Sequence, residues 1–164
     1  MGHLPKGNHL YIQTERVQRW YNRICEINSG TRLGQTLEMD IDEFLVFFIF
    51  SYHLKDWIIK ETHISKQVTE EFINKTQCLA ICADIANGTK HLGVGDIGSK
   101  THPPRSGEDF RMRECVMISG DQVKPNILID FDDGTQVDAM TLATKCIEAW
   151  AEFLNTHPPD SSKN

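Results

Sequence analysis

The stretch DIDEFLVFFIFSYHLKDWIIK, from Asp40 to Lys60, decides the fold of this chain. Asp40 is followed three residues later by Glu43, a carboxylate variant of the capping box that marks the start of a helix. Seven apolar residues in a row, from Phe44 to Phe50, come next. Because a helix that is apolar on every side must be covered by neighbouring elements, we predict that this stretch is the central helix of a small bundle.

Four further helices are predicted from capping residues and from apolar residues at helical spacing. Asn28-Ser29-Gly30 ends the first, Ser65 and Thr76 cap the two that follow the central helix, and Asp138 caps the last. The predicted bounds are 13–27, 66–74, 77–91 and 138–155. The residues expected to point inward are Val17, Trp20, Tyr21 and Ile24 in the first of these helices, Val68, Phe72 and Ile73 in the second, Cys78, Ile81, Cys82, Ile85 and Leu92 in the third, and Leu142, Ala143, Cys146, Trp150, Phe153 and Leu154 in the last.

Before the last helix, the apolar period changes from helical to alternating. The predicted strands are 110–118, 123–131 and 135–137, with turns at Gly120-Asp121 and at Asp132-Asp133-Gly134. Ile127, Ile129 and Phe131 share one face, and we expect this face to pack on the bundle because so small a meander is not stable alone. The predicted fold class is α+β and mainly α, a bundle of four to five helices with a small antiparallel β-meander inserted before the last helix.

A chain of 164 residues favours a single domain. We expect a helical bundle at 10–92, a loop at 93–108, the meander at 109–137, the C-terminal helix at 138–155 and a flexible tail at 156–164. The net charge of −6 argues against non-specific affinity for nucleic acids or membrane surfaces. No apolar run reaches the ~20 residues that a membrane helix needs. The start of the chain lacks the pattern of a signal peptide, so we expect a cytoplasmic protein.

The chain has five cysteines, an odd number without a C-x-x-C pair, which favours reduced and buried thiols. Cys78 and Cys82 lie four residues apart on one face of the fourth helix, where packing is their simplest use. Zinc sites use closer pairs, and neither an H-E-x-x-H motif nor a nucleophile signature occurs. We therefore expect no metal site and no cofactor.

The first candidate site is formed by Asp84, Asn87 and His91, which share one face of the fourth helix at i, i+3 and i+7. This face carries short polar groups and Ala80, where solvated faces usually carry Lys and Glu. His91 could act as an acid or base near neutral pH, Asp84 could orient its imidazole, and Asn87 could bind a ligand. The alternative interpretation is an ordinary solvated face or a capped helix end.

A second candidate group lies on the central helix, within Tyr52 to Trp57. His53 and Asp56 are one helical turn apart and align with other charged residues, which favours an edge that meets water. Lys55 falls among apolar residues, so it must extend to the surface or pair with an acidic group. Asp84 is a candidate partner if the second and fourth helices are antiparallel neighbours.

The segment from Lys90 to Arg113 carries five basic and three acidic residues, so its charge is +2 while the remainder of the chain is −8. Lys90 and Arg105, beside His91, could hold a phosphate or an RNA backbone. A solvated loop and strand explain the same charges. The formal G-x-G-x-x-G from Gly93 to Gly98 is set aside, because the dinucleotide fingerprint needs a preceding strand and a following helix.

Two phrases, Tyr52 to Trp57 and Asp84 to His91, resemble a group of bacterial proteins with an HLxDW … DIxNGxKH pattern. The arrangement is also similar to the HEPN class of helical bundles, in which a core helix often ends in a polar-plus-histidine motif. This resemblance implies either a non-catalytic binding module or a ribonuclease. In the nuclease form His91 matches the histidine and Asn87 the polar residue, but Ala86 or Ile85 stands where that form has an arginine.

Three functions are open on these residues. The first is a HEPN-like module without catalysis that binds a protein partner or RNA, with a leftover apolar face that could serve a homodimer. The second is a metal-independent ribonuclease in which His91 is the acid or base and Asn87 positions phosphate. The third is a small-molecule-binding accessory protein. The residues predicted to bind, besides His91 and Asn87, are Asp84, Lys90, His53, Lys55, Asp56 and Arg105.

Overall fold

A computed structural model of the protein describes residues 9–31, 35–91, 110–119 and 122–158. In these ranges the chain forms five helices and three strands in the predicted order. The helices are α1 (His9–Asn28), α2 (Leu37–Glu61), α3 (Lys66–Lys75), α4 (Gln77–His91) and α5 (Ala139–Thr156), and the strands are β1 (Phe110–Ser119), β2 (Gln122–Phe131) and β3 (Gln136–Asp138). The predicted fold class is confirmed, a mainly α protein with a small antiparallel meander before its last helix. The predicted loop at 93–108, the turn at Gly120-Asp121 and the tail from Pro159 lie outside the described residues.

The helix α2 is central to the bundle, as predicted, because it contacts each of the other four helices and β1. Phe44, Phe47 and Phe48 are at most 1% exposed. Phe47 packs edge-on against Phe48, with ring centroids 5.3 Å apart. Ile49 and Phe50 are only partly buried, so neighbouring elements cover most of the helix and not all of it.

The start of α2 differs from the prediction. Thr36 is the N-cap, and its hydroxyl accepts a hydrogen bond from the backbone N–H of Met39 at 3.4 Å. The helix therefore begins three residues before Asp40, which lies in the first turn. The predicted capping box of Asp40 and Glu43 was wrong, because Glu43 is 8% exposed and accepts two hydrogen bonds from Arg23 of α1, at 2.6 and 3.2 Å.

The first and third helices each depart from the prediction in one respect. α1 begins at His9, four residues earlier than predicted, and buried Gln13 ties its first turns to α2 by donating a hydrogen bond to the Phe50 carbonyl at 3.0 Å. In α3 the predicted cap is confirmed, but the inward orientation of Val68 was wrong, since Val68 is 42% exposed. Thr69 takes the buried position in its place.

The helix α4 is buried around its whole circumference over two turns. Every residue from Leu79 to Ala86 is at most 6% exposed. The sequence predicted a single apolar stripe on this helix, whereas the structure covers it with α2, α3 and α5. Ala80, Ala83 and Ala86 have side chains small enough for these helices to approach closely.

The three strands form an antiparallel sheet in the order β1-β2-β3. Ile127, Ile129 and Phe131 are at most 6% exposed, and β2 contacts α1 and α5, so the predicted packing face is confirmed. β2 and β3 are joined by the predicted turn, in which Gly134 has φ of +81°. That left-handed conformation favours glycine over any residue with a side chain.

The last helix begins and packs as predicted. Asp138 is its N-cap and accepts a hydrogen bond from the backbone N–H of Thr141 at 2.6 Å. All six residues that the sequence placed inward are buried. α5 contacts α1, α2, α4 and the second and third strands, so it joins the sheet to the bundle.

We expect Phe47→Ala to lower the free energy of unfolding by about 3–5 kcal/mol, because it leaves a cavity where α2 meets its neighbours. The matched control is Ile12→Ala on α1, where the side chain is 48% exposed and the change should stay within about 0.5 kcal/mol. Urea denaturation followed by circular dichroism measures both values. Equal losses in the two variants would contradict the central position of α2.

Candidate functional site

The polar face predicted on α4 is not a solvated face at Asp84. Asp84 is 2% exposed, and Ala80, one turn earlier, is fully buried. Asn87 is partly buried. The helix extends to His91, but the side chains of Lys90 and His91 lie outside the described residues, as does all of Arg105. The solvated-face interpretation is therefore wrong for Asp84, and the roles given to Asn87 and His91 stay predictions.

The ammonium group of Lys55 is held by two partners. Its Nζ donates hydrogen bonds to Glu70 Oε1 and to the Tyr52 hydroxyl, both at 2.8 Å. The side chains of Lys55 and Glu70 are 14% and 19% exposed. The sequence suggested Asp84 as the partner of Lys55, and this was wrong because the carboxylate comes from α3.

The pKa of Lys55 follows from these contacts. Burial lowers the pKa, but the hydrogen bonds with Glu70 and Tyr52 outweigh burial, and the net pKa is raised above its ordinary value. A lysine that stays charged at neutral pH has no free electron pair, so it is neither a general base nor a nucleophile. Lys55 therefore serves as a structural link between α2 and α3.

His53 and Asp56 are exposed, in agreement with an edge of α2 that meets water. His53 lies near the neighbouring Tyr52 ring, with centroids 6.3 Å apart. Neither residue lines the groove described next. Of the residues on α2 that the sequence predicted to bind, Lys55 thus belongs to an ion pair, and His53 and Asp56 lie at the surface.

An open groove of about 510 Å³ lies between the first turns of α4, the outer side of α5 and β3. Apolar groups form one part of its lining and polar groups the other. The apolar lining residues are Cys78, Ile81, Val137, Leu142 and Ala149, and the polar ones are Gln77, Thr141, Lys145, Glu148 and Glu152. The volume falls within the roughly 300–1,000 Å³ that small-molecule sites occupy in proteins.

Cys78 is the reactive group in this groove. It is the second residue of α4, partly buried, and it lines the groove. A hydrogen bond from Cys146 lowers its pKa, burial opposes this, and the backbone N–H groups of Leu79 and Cys78 together with nearby Lys145 lower it further, to about 7. Thiolates at helix N-termini and beside cations are the cysteine forms that react as nucleophiles.

Two further thiols lie behind Cys78, inside the protein. Cys146 of α5 is fully buried, and its Sγ lies 3.4 Å from the Cys78 carbonyl oxygen. Burial raises the pKa of Cys146 well above its usual value, and the neighbouring thiols of Cys78 and Cys82 raise it further. Cys82 is 1% exposed and donates a hydrogen bond to the Phe48 carbonyl at 3.3 Å. The groove thus presents one accessible thiol with a protonated thiol directly behind it.

In the described ranges, no three His, Cys, Asp or Glu side chains are grouped as ligands of a metal ion would be. None of the described helices combines the length and the apolar character needed to cross a membrane. All five cysteines are free thiols. The chemistry that the groove offers is therefore binding and thiol chemistry.

Comparison with known proteins gives no relative: no family model, no curated protein and no solved structure matches this chain. The resemblance to HEPN-like bundles consequently stays a prediction. Functional interpretation depends on the geometry of the chain itself.

The sequence analysis missed the groove and assigned Cys78 only a packing role. One local signal was present, because the predicted cap at Thr76 places Cys78 in the first turn of α4, where a thiolate is stabilised. No sequence signal pairs Cys78 with Cys146, which lies 68 residues further along the chain.

We expect Glu70→Gln to lower the free energy of unfolding by about 2 kcal/mol at pH 7, because it leaves the largely buried charge of Lys55 without its carboxylate. The control is Glu71→Gln on the same helix, where the carboxylate is exposed and pairs with Lys75, so that its loss should have a much smaller effect. Urea denaturation measures both losses. Equal losses would show that the ion pair of Lys55 and Glu70 stabilises the fold no more than an exposed ion pair does.

The same comparison has a predicted pH dependence. Because the folded-state pKa of Lys55 is raised, its stabilisation is present below the unfolded pKa of about 10.4 and is lost as the pH rises through the folded value. The difference in unfolding free energy between wild type and Glu70→Gln should be constant from about pH 7 to 9 and shrink above about pH 10.4. A difference that shrinks already below pH 9 would contradict this assignment.

Proposed function

We propose that this protein is a binding module for a small amphipathic cation, which occupies the groove between α4, α5 and β3. The observation that carries the proposal is the groove itself, with a volume of about 510 Å³ and a lining divided between apolar and charged groups. Of the functions open on the sequence, this corresponds to the small-molecule-binding accessory protein.

The apolar lining supplies the binding energy for the ligand body. Ile81 and Leu142 are each at most 6% exposed, so they form a fixed floor that belongs to the core. Ala149 lies beside them and leaves space that a larger side chain would fill. Apolar surface removed from water contributes about 25 cal/mol per Å², and because the floor residues are already largely buried, most of this gain comes from the surface of the ligand itself.

The charges at the rim favour a cation. Glu148 and Glu152 contribute two carboxylates, and Lys145 contributes one ammonium group. All three are exposed, and they follow one another along the outer side of α5. The rim therefore has a net charge of −1, which selects an ammonium-bearing ligand over a carboxylate of the same shape.

The other two functions have less support from the described residues. For ribonuclease chemistry, the side chain of His91 lies outside the described residues, and of its predicted partners Asp84 is 2% exposed and Asn87 is partly buried. For an RNA partner, the side chain of Lys90 and all of Arg105 lie outside the described residues, and Arg113 of β1 is paired with Asp130 at 2.5 Å. For a protein partner or a homodimer, the large exposed apolar side chains in the described ranges are spread over three helices, as Ile12, Leu37, Met39 and Val68.

We expect Ala149→Trp to abolish ligand binding, because the indole fills the groove. Thermal shift with a set of apolar primary amines is the measurement, and wild type should be stabilised by members of this set. The matched control is Ala151→Trp, two residues along the same helix at an exposed position, which should bind like wild type. Equal shifts in both tryptophan variants would exclude the groove as the binding site.

The charge of the rim is tested separately. A second set in which each amine is replaced by a carboxylate should stabilise wild type less, and Glu152→Lys should reduce or reverse this preference. The control is Glu26→Lys on α1, which makes the same change of charge at an exposed position away from the groove. If Glu26→Lys changes the preference as much as Glu152→Lys does, net charge and not the groove determines binding.

A further inference from the structure

We propose that Cys78 is a site of redox modification: a hydroperoxide that enters the groove oxidises its sulfur, and Cys146 then closes a Cys78–Cys146 disulfide. This inference goes beyond the proposed function. It uses the same groove but does not require that an amphipathic cation binds there.

Only one of the two thiols can be reached from the groove, and the other is buried behind it. Cys78 lines the groove and is partly buried, so a small oxidant can reach its sulfur. Cys146 is fully buried directly behind it, with its Sγ 3.4 Å from the Cys78 carbonyl oxygen. This arrangement makes one thiol the point of attack and the other its internal partner, and closing the bond requires the two sulfur atoms to approach to about 2.05 Å.

The surroundings favour an ionised Cys78 and a protonated Cys146, which suits the first step; in the second step Cys146 gives up its proton as its sulfur attacks. Cys78 has a pKa of about 7: the neighbouring Cys146 thiol lowers it most, burial opposes this, and backbone N–H groups at the start of α4 and nearby Lys145 lower it further. In the thiol form, the Cys146 S–H is donated to the Cys78 carbonyl oxygen at 3.4 Å. The pKa of Cys146 is raised by burial and by its thiol neighbours, so Cys146 keeps its proton and acts as the donor. A larger share of Cys78 is therefore thiolate at neutral pH than of an ordinary thiol, which is only a few per cent ionised.

Two balanced steps complete the reaction. In the first, the Cys78 thiolate attacks one oxygen of the hydroperoxide, the O–O bond breaks, and the alkoxide leaves and becomes an alcohol on protonation, which gives a sulfenic acid at Cys78. In the second, the Cys146 sulfur attacks the Cys78 sulfur, the S–O bond breaks, and hydroxide leaves with the Cys146 proton as water. The two thiols lose two electrons in total, and the hydroperoxide is reduced to the alcohol and water.

The three remaining cysteines do not combine these properties. Cys115 of β1 is partly buried and does not line the groove. Burial raises the pKa of Cys25, which is partly buried on α1. Cys82 is 1% exposed and engaged with the Phe48 carbonyl, so an oxidant does not reach it from the groove. Cys25 is therefore the control for partial exposure without a stabilised thiolate, and Cys82 is the control for proximity without access.

The test uses the full reduced chain, hydrogen peroxide at pH 7 and peptide mass spectrometry after digestion with trypsin. The expected product of wild type and of Cys82→Ser is a disulfide between the peptides 76–90 and 146–163, formed with the loss of two hydrogen atoms. Cys146→Ser should instead accumulate a sulfenic acid at Cys78 that dimedone traps, and Cys78→Ser should give neither product. Iodoacetamide should alkylate Cys78 about fivefold faster than Cys25 at pH 7, with a pH midpoint near 7.

Three results would overturn the inference. The first is equal alkylation rates at Cys78 and Cys25. The second is a wild-type chain in which dimedone traps Cys78 but no link to Cys146 forms. The third is a link to Cys82, shown by its loss in Cys82→Ser. Circular dichroism of every variant confirms that it is folded, and Glu26→Lys, which changes the charge at an exposed position of α1 away from the groove, should form the Cys78–Cys146 link at the wild-type rate.

Discussion

The burial of the middle of α4 on every side is the constraint on which the rest of this structure depends. Two turns of helix, from Leu79 to Ala86, are covered on every side by α2, α3 and α5. A helix can be surrounded in this way only if part of its surface is small, and alanines at 80, 83 and 86 meet that need. The helix α2, which carries the buried Phe44, Phe47 and Phe48, is one of the helices that pack against α4, so an element with large side chains lies beside one with small side chains.

The groove follows from the point at which α4 enters the core. Its first turn, with Gln77 and Cys78, precedes the buried segment and stays at the surface, while α5 packs along the buried part through Leu142 and Cys146. Small side chains at this junction leave a space that Lys145, Glu148 and Glu152 border with charge. The neighbouring helices thus cover the middle of α4 but not its first turn. The N-terminus of α4 and the thiol of Cys78 therefore lie in the same groove.

The sequence was sufficient for features that depend on local chemistry. The caps Ser65 and Asp138, the turn at Gly134 and the bounds of α4 were predicted correctly, since each follows from a few consecutive residues. It was insufficient where a distant residue decides the outcome. Glu43 had the spacing of a capping residue, but its carboxylate accepts hydrogen bonds from Arg23 of α1. Lys55 required an acidic partner, and the sequence alone could not choose between carboxylates on α3 and α4.

The candidate site illustrates the same limit of local reasoning. The rule that residues at i, i+3 and i+7 share a helix face led to Asp84, Asn87 and His91, and the structure then buries Asp84. Cys78 lies six residues before Asp84, about 9 Å along the helix, and remains accessible. Side chains on one helix can therefore be sealed or available to a ligand according to what packs against each turn. A reaction requires that the reactive group be accessible. Among the described residues, Cys78 in the groove meets this requirement and Asp84, which the sequence favoured, does not.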